Sequence, residues 1–157
     1  LSFPVVQPEK ESQNEECVQR TKQDLKEDKP LRGYHILLAE DNEINMEIAE
    51  FYLEEAGAQV IKAWNGREAV EIFRKSEPDE FDVILMDIMM PIMNGYEATK
   101  MIRSLDREDA KTIPIIAMTA NAFTEDRIKA KEAGMDEHVA KPVDMELLIK
   151  VIHRLVK

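Results

Sequence analysis

From Tyr34 onward, short apolar runs alternate with amphipathic stretches. HILLAE (35–40), AQVIKA (58–63), DVILMD (82–87), IPIIAMT (113–119) and EHVAKP (137–142) are apolar or β-branched over strand length. Between them the apolar period lengthens to that of a helix. Residues 44–56 place Ile44, Ile48, Phe51 and Tyr52 on one face, and residues 95–105 do the same with Ala98, Met101, Ile102 and Leu105, so both faces call for a sheet to cover. A helix over 66–76 follows Asn65 as its N-cap, one over 124–133 stops at Gly134, and one from Asp144 repeats Leu148, Val151, Ile152 and Leu155 before the closing cations Arg154 and Lys157. The pattern is β-α repeated five times.

Strict β-α alternation implies right-handed crossovers and a parallel sheet. HILLAE, DVILMD and IPIIAMT are the most continuously apolar runs and belong at the centre; AQVIKA and EHVAKP are more polar and suit the edges. The predicted fold is therefore α/β, a flavodoxin-like, doubly wound, five-stranded parallel sheet in the order 2-1-3-4-5 with helices on both faces.

The segment before Tyr34 differs. Residues 7–33 carry dense mixed charge and few apolar side chains, too little to offset the entropy of ordering, and read as a linker. Residues 1–33 thus form a tail and 34–157 the folded domain, and a start at Leu1 rather than Met suggests a fragment of a longer or processed chain. No apolar run approaches the roughly 20 residues of a bilayer helix, and the start lacks the basic region of a signal peptide. Direct membrane contact is not expected. A single cysteine, Cys17, offers no disulfide framework, so a cytoplasmic setting is expected. The net charge of −11 opposes nucleic acid as a partner, and the acidity lies in the fold, since residues 1–33 hold 7 acids and 6 bases.

In sheets of this kind ligands bind beyond the carboxyl ends of the strands, at the switch in strand order. Strand one ends in Glu40 and Asp41, strand three in Asp87, strand four in Thr119 and strand five in Lys141. Clustered carboxylates repel unless a cation intervenes, and an all-oxygen set without Cys or His suits a hard ion, Mg²⁺. A metal at Glu40, Asp41 and Asp87 would keep Asp87 ionised as a nucleophile toward a phosphoryl group, with Lys141 and Thr119 meeting other phosphoryl oxygens.

The stretches LLAEDN, ILMDIMMPIMNGYEA, IIAMTANAF and EHVAKP, in this order over residues 35–157, resemble the receiver domains of two-component response regulators, and the wording EDNEIN and MTANAF is most similar to receivers of hybrid histidine kinases. The resemblance implies that Asp87 accepts phosphate from a phosphohistidine and that the Met89 backbone carbonyl joins Glu40, Asp41 and Asp87 on Mg²⁺. It further implies that Thr119 is a switch hydroxyl, that Lys141 pairs with the phosphoryl group, and that Met89 and Asn121 flank the hydrolytic water and tune the lifetime of the phosphoryl group. His138 stands where the family commonly has a Tyr or Phe switch, and Asn94-Gly95 where it often has Asp-Gly. LSFPVV resembles the last strand of a kinase ATP-binding domain. Implied partners are a histidine kinase or its phosphohistidine domain, and a downstream histidine phosphotransfer protein.

Two other functions compete. An aspartate-nucleophile phosphohydrolase would also use Mg²⁺, but the residue two beyond Asp87 is Met89, which cannot serve as an acid or base. A phosphorylation-independent interaction module would have less need of the full set Glu40, Asp41, Asp87, Thr119 and Lys141.

Overall fold

The computed structural model describes residues 29–120, 124–141 and 143–156. Elements follow as β1 (His35–Ala39), α1 (Glu43–Glu55), β2 (Gln59–Ala63), α2 (Gly66–Lys75), β3 (Val83–Asp87), α3 (Gly95–Arg103), α4 (Glu108–Thr112), β4 (Ile115–Thr119), α5 (Thr124–Ala133), β5 (Glu137–Ala140) and α6 (Met145–Leu155). The strands form one parallel sheet in the order β2-β1-β3-β4-β5, as the apolar character of the runs predicted.

The two-residue period of the strands divides the core between the two sheet faces. Leu37, Ile84, Met86, Ile115 and Ala117 point to one side, where α2 and α3 supply Phe73, Ala98 and Ile102. Ile36, Leu38, Leu85, Ile116 and Met118 point to the other, against Met46 and Leu53 of α1 and Leu148, Val151 and Ile152 of α6. Every residue of β3 and β4 is buried. Asn65 caps α2 by accepting from the Glu68 N–H at 2.8 Å, and Asp144 caps α6.

Three helical expectations change. The face Ile44, Ile48, Phe51 and Tyr52 is not covered by the sheet: all four side chains are half or more exposed, and α1 instead buries Met46 and Leu53, seven residues apart. The helix carries two apolar stripes, and the less conspicuous one faces inward because only it lies over the strand residues Ile36 and Leu38. On α3 the core receives Ala98 and Ile102, whereas Met101 turns to solvent. The helix also stops at Arg103, and the short α4, unanticipated, follows with Ala110 alone buried. The helix α5 buries Ala130 and Ala133 and leaves Ile128 exposed.

Two arginines tie the helix ends together. Arg107 donates to the carbonyls of Phe73 (2.8 Å) and Ser76 (3.0 Å), closing the C-terminus of α2, and pairs in a fork with Asp109. Arg103 donates to the carbonyls of Gly134 (2.9 Å) and Ala110 (3.0 Å) and to Asp136 (2.9 Å), joining α3, α4 and the end of α5. Gly134 has φ +108°, and a β-carbon there would stand 2.9 Å from the Arg103 side chain.

Most of the expected linker lies outside the described residues, but its end does not. Leu31 is fully buried and its N–H donates to the Ala56 carbonyl at 2.7 Å. The Pro30 carbonyl accepts from His153 at 2.7 Å, and a β-carbon on Gly57 would strike Arg32 at 2.9 Å. Packing therefore starts before Tyr34. Leu31→Ala is expected to cost about 2–5 kcal/mol by leaving a cavity, whereas Ile128→Ala, at an exposed site, should stay within about 0.5 kcal/mol; urea unfolding of both variants measures the difference.

Candidate functional site

The site is assembled at the carboxyl edge of the sheet by four strand ends and the turns that follow them. After β1 the Glu40 N–H donates to the Ala63 carbonyl at 3.0 Å, which holds the residue in line with the strand and leaves its side chain only 3% exposed. Glu40 Oε2 accepts from the Asn42 N–H at 3.1 Å, and Asn42 in turn caps α1 through the Asn45 N–H at 2.9 Å. Asp41 is exposed between them.

Asp87 is the last residue of β3 and is 4% exposed. Beyond it the Ile88 N–H donates to the Met118 carbonyl, and the Gly95 N–H donates to the Ile88 carbonyl at 2.8 Å, so the loop that leaves Asp87 returns to it. Gly95 is required there, because a β-carbon would lie 2.4 Å from the Asp87 carbonyl oxygen. Asn94 and Glu97 form a reciprocal capping box at the start of α3, so asparagine serves fully where the family often has aspartate. Thr119 ends β4, buried, and its carbonyl accepts from the Lys141 N–H at 2.8 Å. That bond sets the start of the lysine side chain.

Lys141 Nζ donates to Glu40 Oε1 at 2.8 Å and to Asp87 Oδ2 at 2.9 Å. Oxygen atoms of Glu40, Asp41 and Asp87 lie within 4.8 Å of one another. Three carboxylates therefore share the crevice with one ammonium, which bonds to two of them, and the local excess is negative. Burial pushes the Asp87 carboxyl up to about 6 against the pull of Lys141, with the Glu40 charge adding to the rise. For Lys141 burial works against the charge, yet the hydrogen bonds to Glu40 and Asp87 outweigh it and hold the ammonium above its ordinary value. An oxygen-only donor set with unneutralised charge fits a hard divalent cation, and the residues present suit Mg²⁺.

The other residues singled out in the sequence fall around this cluster. Met89 stands two residues past Asp87 with its side chain in solvent. His138 lies in β5, its Nδ1 3.6 Å from Glu137, beside a groove lined by Arg127, Lys131 and Met135 on the flank of the domain rather than in the acid crevice. Asn121 lies outside the described residues. Two contributors were not singled out: Asn42, legible as an N-cap before the apolar stretch of α1, and Gly66, whose N–H donates to the Met93 carbonyl at 3.0 Å and fastens the loop after Asp87 to α2.

Residues 36–153 match the response regulator receiver domain. Probable histidine kinase 2 of Oryza sativa subsp. indica is 39% identical over 153 residues, covering 89% of this chain but only 15% of that protein. Among solved structures, the receiver domain of sensor histidine kinase PA1611 from Pseudomonas aeruginosa, with a magnesium ion coordinated in its active-site cleft, is 37% identical with a TM-score of 0.71 over 78% of this chain and 97% of that one. A chain from the co-crystal of the Saccharomyces cerevisiae histidine phosphotransfer protein Ypd1 with the receiver domain of the response regulator Ssk1 is 30% identical, TM-score 0.70, over 78% of this chain and 88% of that one. By its sheet order, its cluster of acids around one lysine and the family match over most of its length, the chain belongs to the response regulator receiver domain family.

Proposed function

We propose that this domain accepts a phosphoryl group on Asp87 from a phosphohistidine and relays it to a protein partner. The observation that carries the reading is the placement of Lys141, bonded at once to Glu40 and Asp87 at the mouth of the central strand. Asp87 Oδ attacks phosphorus in line, the phosphorus–oxygen bond forms, the phosphorus–nitrogen bond breaks, and the imidazole leaves with the electron pair and takes up a proton. Lys141, already anchored through its backbone to Thr119, then pairs with a phosphoryl oxygen, and the Thr119 hydroxyl serves another. Glu40, Asp41, Asp87 and the Met89 carbonyl would hold Mg²⁺, which would supply positive charge against the transferring group.

Donor and acceptor partners follow from this chemistry: a histidine kinase or its phosphohistidine domain upstream, and a histidine phosphotransfer protein downstream. Such transfers place the domain in the cytoplasm, where kinases take phosphate from ATP. Thr119 is the switch hydroxyl and His138, on the flank, takes the switch position of the family. With no group at Met89 able to orient water, and a neutral amide at Asn121, hydrolysis of the acyl phosphate should be slow enough for a relay.

Three outcomes are expected. Incubation with phosphoramidate and Mg²⁺ should add one phosphoryl group by intact mass, labile to hydroxylamine; EDTA or Asp87→Asn should prevent it, and mapping the group to Ser, Thr or His would refute the reading.

A second outcome concerns pH. Asp87 has a folded pKa of about 6, above the ordinary 3.8, so the folded state binds more protons between these values. The stability this group contributes is complete below about pH 4 and lost as the pH rises through about 6. In thermal melts without Mg²⁺, Asp87→Asn should flatten that loss and melt higher than the parent at pH 7.5, while saturating Mg²⁺, competing with the proton, should stabilise the parent more at pH 7.5 than at pH 5.

The third is the lifetime. Met89→Asn combined with Asn121→Glu should speed first-order decay of the phosphoprotein by about tenfold or more; equal decay rates would show that these residues do not control the water.

A further inference from the structure

The loop from Asp87 to Gly95 contains a backbone conformation that its sequence does not favour. Ile92 has φ +70°, one of two non-glycine residues with positive φ among those described. The Met93 N–H donates to the Pro91 carbonyl at 2.6 Å, so the three residues form a γ-turn with Ile92 at its centre. With positive φ at the centre this is the strained form of that turn, and a β-branched residue is the least suited to it. Strain of this kind persists only where the surroundings impose it. Here they do, because Gly66 holds the Met93 carbonyl and Gly95 closes against Ile88.

Side chains in this loop divide by direction. Ile88 and Met90 are buried and Met93 packs against the core, whereas Met89 is 75% and Ile92 72% exposed. The inward residues would hold the loop equally well with glycine or asparagine at 92, which adopt positive φ without difficulty. An isoleucine kept there, strained and in water, serves neither backbone nor core. Its position is informative, since it sits midway along a loop whose two ends both meet Asp87. A protein that brings a phosphohistidine into line with Asp87 must cover this loop.

We infer that Ile92, with Met89 beside it, is a specificity-determining contact for a protein phosphodonor, an apolar anchor that packs on the surface around the donor's phosphohistidine. The inference rests on the phosphoacceptor reading of Asp87. Ile92 contributes nothing to a small donor, which needs only the acid crevice and Lys141; it acts when the donor has a surface of its own. The γ-turn makes the contact rigid, so little freedom is lost when the partner docks.

The test compares two donors on the full chain: phosphoramidate, and the phosphorylated Saccharomyces cerevisiae phosphotransfer protein named above. For Ile92→Asn and Ile92→Gly, the rate from the protein donor divided by the rate from phosphoramidate should fall about tenfold, the scale of a modest interface anchor, while Ile92→Leu, still apolar, should largely retain the parent ratio. Both polar and glycine variants should melt no lower than the parent, because the strain is relieved. An unchanged ratio for Ile92→Asn, a ratio lost equally in Ile92→Leu, lower melting of the glycine variant, or no transfer from the protein donor to the parent would each overturn the proposal. Failure of phosphoramidate to modify the parent would instead remove the reading of Asp87 on which it rests.

Discussion

A carboxylate buried at the end of the central strand is the constraint around which the molecule is organised. Asp87 would be costly to ionise where it stands, and its burial follows from its place in β3, which is covered on both faces. The compensating charge arrives from far along the chain: Lys141 is 54 residues away in sequence and reaches Asp87 because β5 lies beside β4, which lies beside β3. The sheet order is therefore also an electrostatic arrangement. A slip of β5 by one residue would turn the lysine away from the crevice and leave the acids unanswered.

The acids in turn decide what the crevice can hold. Glu40 is fixed by its own backbone bond to Ala63 and by the Asn42 N–H, so it cannot retreat from Asp87 when both are ionised. Lys141 offsets part of the repulsion, and a divalent cation suits the remainder. Geometry that would destabilise an ordinary surface thus holds two carboxylates against one ammonium, and the cost is carried by the densely packed Leu37, Leu38, Leu85 and Met86.

The sheet and most of this arrangement were legible because strands buried on both faces leave continuous apolar runs, and the residue that ends each run is named by the run itself. Glu40, Asp87, Thr119 and Lys141 could be placed at one edge by counting alone. Helix faces were harder. Ile44, Ile48, Phe51 and Tyr52 made the stronger stripe on α1, yet Met46 and Leu53 are inside, since direction depends on how the chain enters the helix and not on which stripe is more apolar. Leu31 escaped notice as one apolar residue in a charged stretch, and α4 because one alanine supports it. Contacts such as Arg103 to Gly134 join residues 31 apart and have no local signature.

The sparse anchoring of α5 bears on how such a domain can change over evolutionary time. Among the described side chains of this helix only Ala130 and Ala133 are buried, and Arg103 donates to the Gly134 carbonyl in the turn just past its end. The side chains of Arg127, Ile128 and Lys131 are exposed. They can be exchanged one by one with little penalty to folding or to the acid crevice. The helix is in effect a replaceable label on a fixed scaffold, which lets duplicated copies of one fold vary one surface without disturbing the acid crevice.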